Sequence, residues 1–514
     1  MNRYILMLCL LWGGVLWAQQ DQLQLQKDIA FIKADDIFCN NSALMSLSDS
    51  KEFSESYLTY INSYSQFKAV QNAKQQNGIS FYSEGYKAYS NLKCKGSVLY
   101  KNYNEKGIQW SNILFPQGNT PYIIADSLDG EWEKRSYKLN GDVVTSKLFN
   151  MFYVGVGMNY HVETGAKQKD PRPLNTYKNL KNSISILFPL SSIHNIGGTV
   201  SYTSIKEEID VDYSNNLNKK YSVYWLRALG EAPKDYRNFN VDFKQDSKVL
   251  GLSMFYAYKT DLTKFYLTVL YNDKEEVSGI NHYVTKKEIR KDACYESNKL
   301  QLESILNRYV SKGFHQVKLG VRSNVGKGYK PVMKSSKDIT PEELNSYKNH
   351  DFFFDEKLIQ AEYNFYRTNS EKLFHWRLGV FNEYGKEKQQ HQLLQNNRSI
   401  SFVRSKLTFE ITHKINIKTS IKVGAEGAHK QVIDHHQYIN PNNKSDVVKG
   451  FIIPEYQYLS QSYSRAKLQL RLSRLVKNYI VFSQIETKRL FVPEGKVKQG
   501  LSNHYIAVKI GLVL

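Results

Sequence analysis

Between Ser399 and Lys430 the chain changes character at every residue. Val403, Leu407, Phe409 and Ile411 take one parity, and Arg404, Lys406, Thr408 and Glu410 take the other. After a tight connection at Thr412–Lys414 the pattern resumes. Ile415, Ile417, Ile421, Val423 and Ala425 share one side, and Asn416, Lys418, Ser420, Lys422 and Glu426 share the opposite one. Successive side chains of a strand point to opposite faces, so this stretch is a hairpin with one apolar and one charged face. Such a hairpin has two homes. Either its apolar face meets a second protein layer, or it meets lipid while the charged face lines a wet lumen.

The rest of the chain favours lipid. Short turns fall near Ser191–His194, Thr260–Asp261, Ser311–Lys312, Thr368–Ser370, Thr412–Lys414 and Val476–Asn478. Each joins two strand-like segments long enough for a tilted crossing. Between these hairpins come long polar stretches: Thr164–Asn179, Asp210–Asp246, Glu276–Ala293, Gly328–Asp351, Glu387–Arg398, Ile433–Ser462 and Val492–Asn503. Tight turns on one side and long loops on the other are the division expected of a transmembrane barrel. Leu92–Tyr103 reads as the first strand and Glu131–Leu139 as the second, with Asn140-Gly141 as a hairpin turn. Tyr221–Leu229 is strand-like but is placed in an outer loop.

Both ends agree with this reading. Met1–Ala18 has one arginine and an apolar run before a polar, glutamine-rich segment, the pattern of an export signal. In His504–Leu514 the residues Ile506, Val508, Ile510, Leu512 and Leu514 alternate with Ala507, Lys509, Gly511 and Val513, a closing strand that reaches the last residue. Tyr 37, Phe 25 and Trp 6 supply aromatic side chains for the membrane interfaces. The expected architecture is therefore all-β: an antiparallel outer-membrane β-barrel of 16 strands over 91–514, with 14 as the alternative. A signal peptide (1–18) and a short helical or plug-like segment (19–90) precede it. Within that segment Asp21–Ile37 and Phe53–Ala73 are the expected helices.

Lysine and arginine number 70 against 49 acidic residues, a formal charge of +21. Export and the scatter of the bases over many strands argue against nucleic acid, and no zinc-finger spacing occurs. On the parity opposite the apolar stripe lie Lys318, Arg322, Arg377, Lys406, Lys418, Lys422, Lys467, Arg471 and Lys509, with Glu362, Glu410, Glu426 and Glu486. They are the candidate lumen residues. One reading is a positively biased interior that concentrates anionic solutes. The other is a set of ion-pair ladders that fill the barrel. Cys39, Cys94 and Cys294 are too few and too scattered for a metal site, and Cys39–Cys94 is the one disulfide considered. His435-His436, beside Asp434, reads as a solvated loop rather than a metal site. There is no G-x-S-x-G elbow, H-E-x-x-H or P-loop. No enzyme and no cofactor are expected.

Asp170-Pro171-Arg172-Pro173 follows the outward end of a strand. Arg172 offers a planar fork for an anionic sugar or phosphate, or for tying the loop to the rim. Together with PYIIADSLDG (Pro121–Gly130), EKRSYKLNG (Glu133–Gly141) and VGVGMNYHVETGAKQKDPRPLN (Val154–Asn175), this piece resembles a family of outer-membrane β-barrel proteins from Bacteroidota known only as a domain of unknown function. The resemblance runs from about Gly78 to Leu514. It implies location and architecture, and work beside surface lipoproteins or energised receptors, with Asp170 and Arg172 as loop contacts. The function expected is passage of a nutrient or solute, with a preference for anions. The alternative is a non-catalytic accessory barrel that binds a surface lipoprotein or an energised outer-membrane receptor. The expected partners are outer-membrane lipids, such a lipoprotein or receptor, and a small anionic solute.

Overall fold

A computed structural model of the chain describes residues 29–49, 52–116, 120–214, 223–230, 232, 241–281, 293–329, 350–368, 374–492 and 503–513. The proposed signal peptide, 1–18, lies outside them.

Twenty strands follow in order: β1 (Phe53–Ser65), β2 (Gln75–Ala88), β3 (Leu92–Ile108), β4 (Tyr122–Ala125), β5 (Gly130–Thr145), β6 (Tyr153–Lys167) and β7 (Arg172–Pro189). Next come β8 (His194–Asp212), β9 (Tyr224–Arg227), β10 (Val241–Lys259), β11 (Thr263–Asn281), β12 (Ala293–Val310), β13 (Gly313–Tyr329) and β14 (His350–Thr368). The last are β15 (Phe374–His391), β16 (Asn396–Asn416), β17 (Thr419–Tyr438), β18 (Tyr463–Val476), β19 (Tyr479–Phe491) and β20 (Asn503–Val513). All but β4 and β9 form a single 18-stranded sheet. Neighbours in sequence pair antiparallel, and β20 closes on β1 from Glu55↔Val513 to Ser65↔Asn503. β4 and β9 pair only with each other.

The strand number corrects the expectation of 16, or 14. From β3 onward the barrel does contain sixteen strands, and the two that were missed precede them. Phe53–Ala73 is not a helix: its first thirteen residues are β1, and β2 follows. Segment 19–90 thus supplies part of the wall. Nor is Asn140-Gly141 a turn. Both residues lie inside β5, opposite Ser97 and Gly96 of β3, and the chain reverses only after Thr145. Two stretches expected as long loops, Thr164–Asn179 and Glu387–Arg398, are mostly strand. β6 and β7 are joined by Gln168–Pro171, and β15 and β16 by Gln392–Gln395.

Every wall strand places at least one large apolar side chain on the outer face. Leu58, Ile79, Val98, Leu139, Met158, Ile184, Val200, Leu252 and Val269 are 40–60% exposed in the isolated chain, and Leu302, Leu319, Ile359, Val380, Leu407, Val423, Leu470, Ile485 and Ile510 are 39–62% exposed. An apolar belt around a ring with no unpaired edge suits hydrocarbon and not water. The protein is an outer-membrane β-barrel. Several strands run to 19–21 residues where 9–11 cross the hydrocarbon, so the wall projects well beyond it. With 18 strands, β1 begins and β20 ends on the side of the short turns, the periplasmic side of such a barrel.

Arginine in the middle of the belt must bring its charge into hydrocarbon. Leu252→Arg is expected to destabilise the barrel by about 2–4 kcal/mol in reversible unfolding from lipid. Thr268→Lys, on the lumen face opposite Glu303, should change stability little.

Candidate functional site

Two inserts fill the ends of the barrel and leave a charged chamber between them. The periplasmic insert is the segment Ile29–Asp49. It comprises the short helix Ile29–Asp35 and two 3-10 turns, Ile37–Asn40 and Ala43–Leu47. Asp36 opens the first turn by accepting from the Phe38 N–H, which orients a donor that would otherwise lack a partner. Ile37, Phe38, Ala43, Leu44 and Met45 are buried against the wall, in contact with residues such as Leu187, Phe255, Val144 and Phe482.

Polar bonds reach this plug from around the ring. Lys93 donates to the carbonyls of Ser46 and Ser48 at 2.9 and 2.8 Å, and Lys95 donates to that of Cys39 at 3.1 Å. Lys259 holds Leu47 O at 2.7 Å, while Asn307 and Gln316 hold Ala34 O, each at 2.9 Å. Ala43 N–H donates to Ser185 Oγ at 3.0 Å. Contact is close enough at β6 that a Cβ on Gly155 would stand 2.4 Å from Ala43 N, so only glycine fits there.

The same geometry removes the Cys39–Cys94 pairing. Lys93 and Lys95 point inward to the plug, so Cys94 between them faces the other way. Cys39, Cys94 and Cys294 are all free thiols.

The outer mouth is covered by an apolar cap. β4 and β9, from two different loops, pair as Tyr122↔Arg227 to Ala125↔Tyr224. Trp110, Ile123, Ile124, Trp225, Leu226 and Leu229 pack with inward residues of the wall, among them Ile209, Val211, Phe243, Tyr295, Phe352 and Phe354. Val447 and Ile452, from the β17–β18 loop, complete the cluster. Asn396 Nδ2 donates to Leu229 O at 2.7 Å, and Lys167 Nζ, 1% exposed, reaches both carboxylate oxygens of Asp126 at 2.8 Å. The described part of the strand-like Tyr221–Leu229, 223–229, thus turns inward as part of the cap.

Between plug and cap, a cavity of about 330 Å³ lies against β16–β20 and β1. Its wall bears Glu55, Glu410, Lys422, Lys467, Arg471, Glu486 and Lys509, and the plug adds Ala30 and Lys33. Each carboxylate has a base. Arg471 meets Glu55 at 3.2 Å, Lys422 meets Glu410 at 3.2 Å, and Lys467 meets Glu486 at 3.3 Å. Lys33 is paired with Glu84 at 2.5 Å. Lys509 forms no ion pair among the described residues and lies 5.2 Å from the centre of the Tyr57 ring.

Of the sequence candidates, Lys422, Lys467, Arg471 and Lys509 therefore meet at one cavity. Lys318, Arg322 and Arg377 face the lumen farther round the wall. Lys318 lies 3.8 Å from Glu362, Arg322 2.9 Å from Glu356, and Arg377 3.4 and 3.9 Å from Glu362 and Glu410. Lys406 stacks on Phe381 with its ammonium 5.1 Å from the ring centre. Lys418 differs: it sits exposed in the two-residue turn between β16 and β17, at the periplasmic rim. The turn reverses the strand there, so the parity of β17 does not apply to it. Lys33, Glu55 and Glu84 are absent from the sequence candidates because they lie in 19–90, the segment expected to precede the barrel. The signal that would have found Glu55 is the alternation of Leu58 and Tyr60 with Tyr57 and Thr59.

Asp170 and Arg172 stand together at the outer rim, Arg172 Nε 2.9 Å from Asp170 Oδ1. Asp170 also accepts from Ser214 N–H at 3.1 Å and Ser214 Oγ at 2.7 Å, which fastens the β6–β7 connection to the start of the β8–β10 loop. His435 contacts Tyr456 OH at 2.7 Å. Among the described residues no cluster of His, Cys, Asp and Glu has the makings of a metal site.

Burial, with Asp36 beside it, pushes the Cys39 thiol up to about 11. At pH 8 roughly one part in a thousand would be thiolate, the species that reacts. Maleimide should therefore label Cys39 very slowly while the plug is seated. In a background carrying Cys94→Ser and Cys294→Ser, Gly155→Leu is expected to push out Ala43 and speed labelling by at least about tenfold. Unchanged labelling would show that the plug does not depend on this contact.

Several solved structures align with most of the chain and are remote from it in sequence. FpvA of P. aeruginosa, bound to heterologous pyoverdines, aligns with 90% of this chain and 72% of its own at 10% identity and a TM-score of 0.41. The siderophore receptor PiuA from Acinetobacter baumannii aligns over 90% and 82% at 10% identity and 0.37. A FadL homologue from Pseudomonas aeruginosa aligns over 92% of both chains at 11% identity and 0.32. None of these likenesses bears on what this chain carries. No curated protein is similar to it in sequence. A family model does match, over residues 42–514, which takes in the last eight residues of the plug and the whole wall, and the chain belongs to that family of unknown function, DUF6850.

Proposed function

We propose that the protein is a plugged outer-membrane barrel that passes a small anionic solute, held on its way in the cavity between plug and wall. The observation that carries this reading is the meeting of Lys33 from the plug with Lys422, Lys467, Arg471 and Lys509 from the wall around about 330 Å³. Glu55, Glu410 and Glu486 on the cavity wall, with Glu84 on Lys33, offset four of those five charges, and the remainder is positive. A chamber with low-dielectric walls and one excess sign concentrates the opposite sign inside it. Its volume lies at the lower end of small-molecule sites. Passage requires that both inserts move, because Ile29–Asp49 is bonded across the periplasmic mouth and the β4–β9 cap covers the outer one.

The accessory reading draws support from the outer cap, whose apolar packing resembles a core more than a gate. In that reading the closed barrel is a rigid base, and its outward loops bind a surface lipoprotein or receptor.

Conductance in planar bilayers separates the two. The full-length protein should be nearly silent. Deletion of residues 29–49 together with the cap strands β4 and β9 should open a conductance whose reversal potential in a salt gradient favours anions. Lys422→Glu, Arg471→Glu and Lys509→Glu together should abolish or invert that preference, while Lys418→Glu at the rim should alter it much less. A folded deletion variant that stays silent, with a partner co-purifying from native membranes, would sink the passage reading and leave the accessory one.

A further inference from the structure

On the outer face of β13–β16 the apolar belt stops along one line. Val321, Ile359, Tyr384 and Val403 are successive cross-strand partners. Val321, Ile359 and Tyr384 are 48, 54 and 38% exposed, as lipid-facing residues are in an isolated barrel. The next outward row, two residues farther along the tilted strands and about 5 Å farther from the membrane centre, reads Ser323, Lys357, Lys386, Ser401. Two lysines thus stand directly opposite one another at headgroup height. Lys388 follows in the row above, opposite Asp355.

Like charges directly opposite on adjacent strands repel. Among the described residues little relieves them. Lys357 reaches only Asp355, at 3.9 Å, and neither Lys386 nor Lys388 forms an ion pair. In the row of Lys357 and Lys386 the first carboxylate is Asp434, two strands away beyond Ser401. The flank formed by β8 and β10 is built differently. There Lys206 meets Asp246 at 3.3 Å and Lys244 meets Glu208 at 3.4 Å. Lys248 lies opposite Glu275, and Lys327 opposite Glu296. Lys178 also lies opposite Lys206 there, but Asp246 and Glu208 adjoin Lys178, Lys206 and Lys244 and leave one excess charge, whereas Asp355 alone adjoins Lys357, Lys386 and Lys388 and leaves two.

We propose that Lys357 and Lys386, with Lys388 beside them, form a docking site for the phosphate of an anionic lipid in the outer leaflet. A phosphate between the two ammoniums relieves their repulsion, and the lipid's chains lie along Val321, Ile359 and Tyr384 just below. A free anion would gain nothing from that apolar row, so the occupant is a lipid. The site faces away from the lumen and does not depend on what the barrel passes.

The test uses the purified full-length protein in non-ionic detergent, with dioleoylphosphatidic acid or dioleoylphosphatidylcholine added and binding read by native mass spectrometry. The wild type should retain phosphatidic acid in preference to phosphatidylcholine. Lys357→Gln with Lys386→Gln should weaken retention about thirtyfold, at roughly 1 kcal/mol for each surface base. Lys357→Arg with Lys386→Arg should keep it, and Lys206→Gln with Lys244→Gln on the compensated flank should leave it unchanged. Any of three results overturns the proposal: no preference for phosphatidic acid, equal loss on the two flanks, or displacement of the lipid by inorganic phosphate at matched concentration.

Discussion

The closing ladder between β1 and β20 is the contact on which everything else rests. Eleven residue pairs join the first strand of the wall to the last. Without them a sheet of eighteen strands would present two open edges to hydrocarbon, where an unpaired N–H or C=O costs several kcal/mol. With them no strand of the wall is left with an open edge, and side chains alone decide what each face meets. Because the side-chain period is two, the choice is made once for a whole strand. Leu58 cannot face lipid unless Tyr57 and Thr59 face the lumen.

The interior inherits that constraint. Polar residues forced inward must find partners there, and they do so in two ways. Near the middle they pair with each other, as Arg471 with Glu55 and Lys422 with Glu410. Toward the ends they hold inserted backbone. Wall lysines donate to plug carbonyls below, and Lys167 binds Asp126 of the cap above. The barrel is thus filled by segments of its own chain, and the cavity lies where the filling ends.

How far the sequence discloses this depends on contrast between the two faces. Ser399–Lys430 alternates so strongly that β16 and β17 can be read directly, and so can the closing strand His504–Leu514. Phe53–Ser65 has much less contrast: Phe53, Tyr57 and Ile61 face inward while Leu58, Tyr60 and Tyr64 face outward, and serines lie on both sides. An apolar residue on both parities looks helical, and the strand emerges only because β2 and β20 flank it. Asn140-Gly141 has favourable turn chemistry, yet the ladder with β3 and β6 runs straight through it. The cap was illegible for another reason. Nothing local in Tyr122–Ala125 or Tyr224–Arg227 says that two segments about a hundred residues apart will pair. Lumen bases could be assigned by parity, but the partners of Lys422 and Arg471, and the presence of Lys33 among them, depend on where the plug lies.

One detail of chain length limits how the periplasmic mouth can open. The plug ends at Asp49 and the wall begins at Phe53. Four Cα steps, even fully stretched, span only about 14 Å. The plug is therefore on a short leash, unable to leave the barrel as a free body while its end stays beside β1. Its far end, the helix Ile29–Asp35 held by Asn307 and Gln316 of β12 and β13, is the end that can travel. Any route past it is a swing away from those two strands, and the first bonds to break are those from their amides to Ala34.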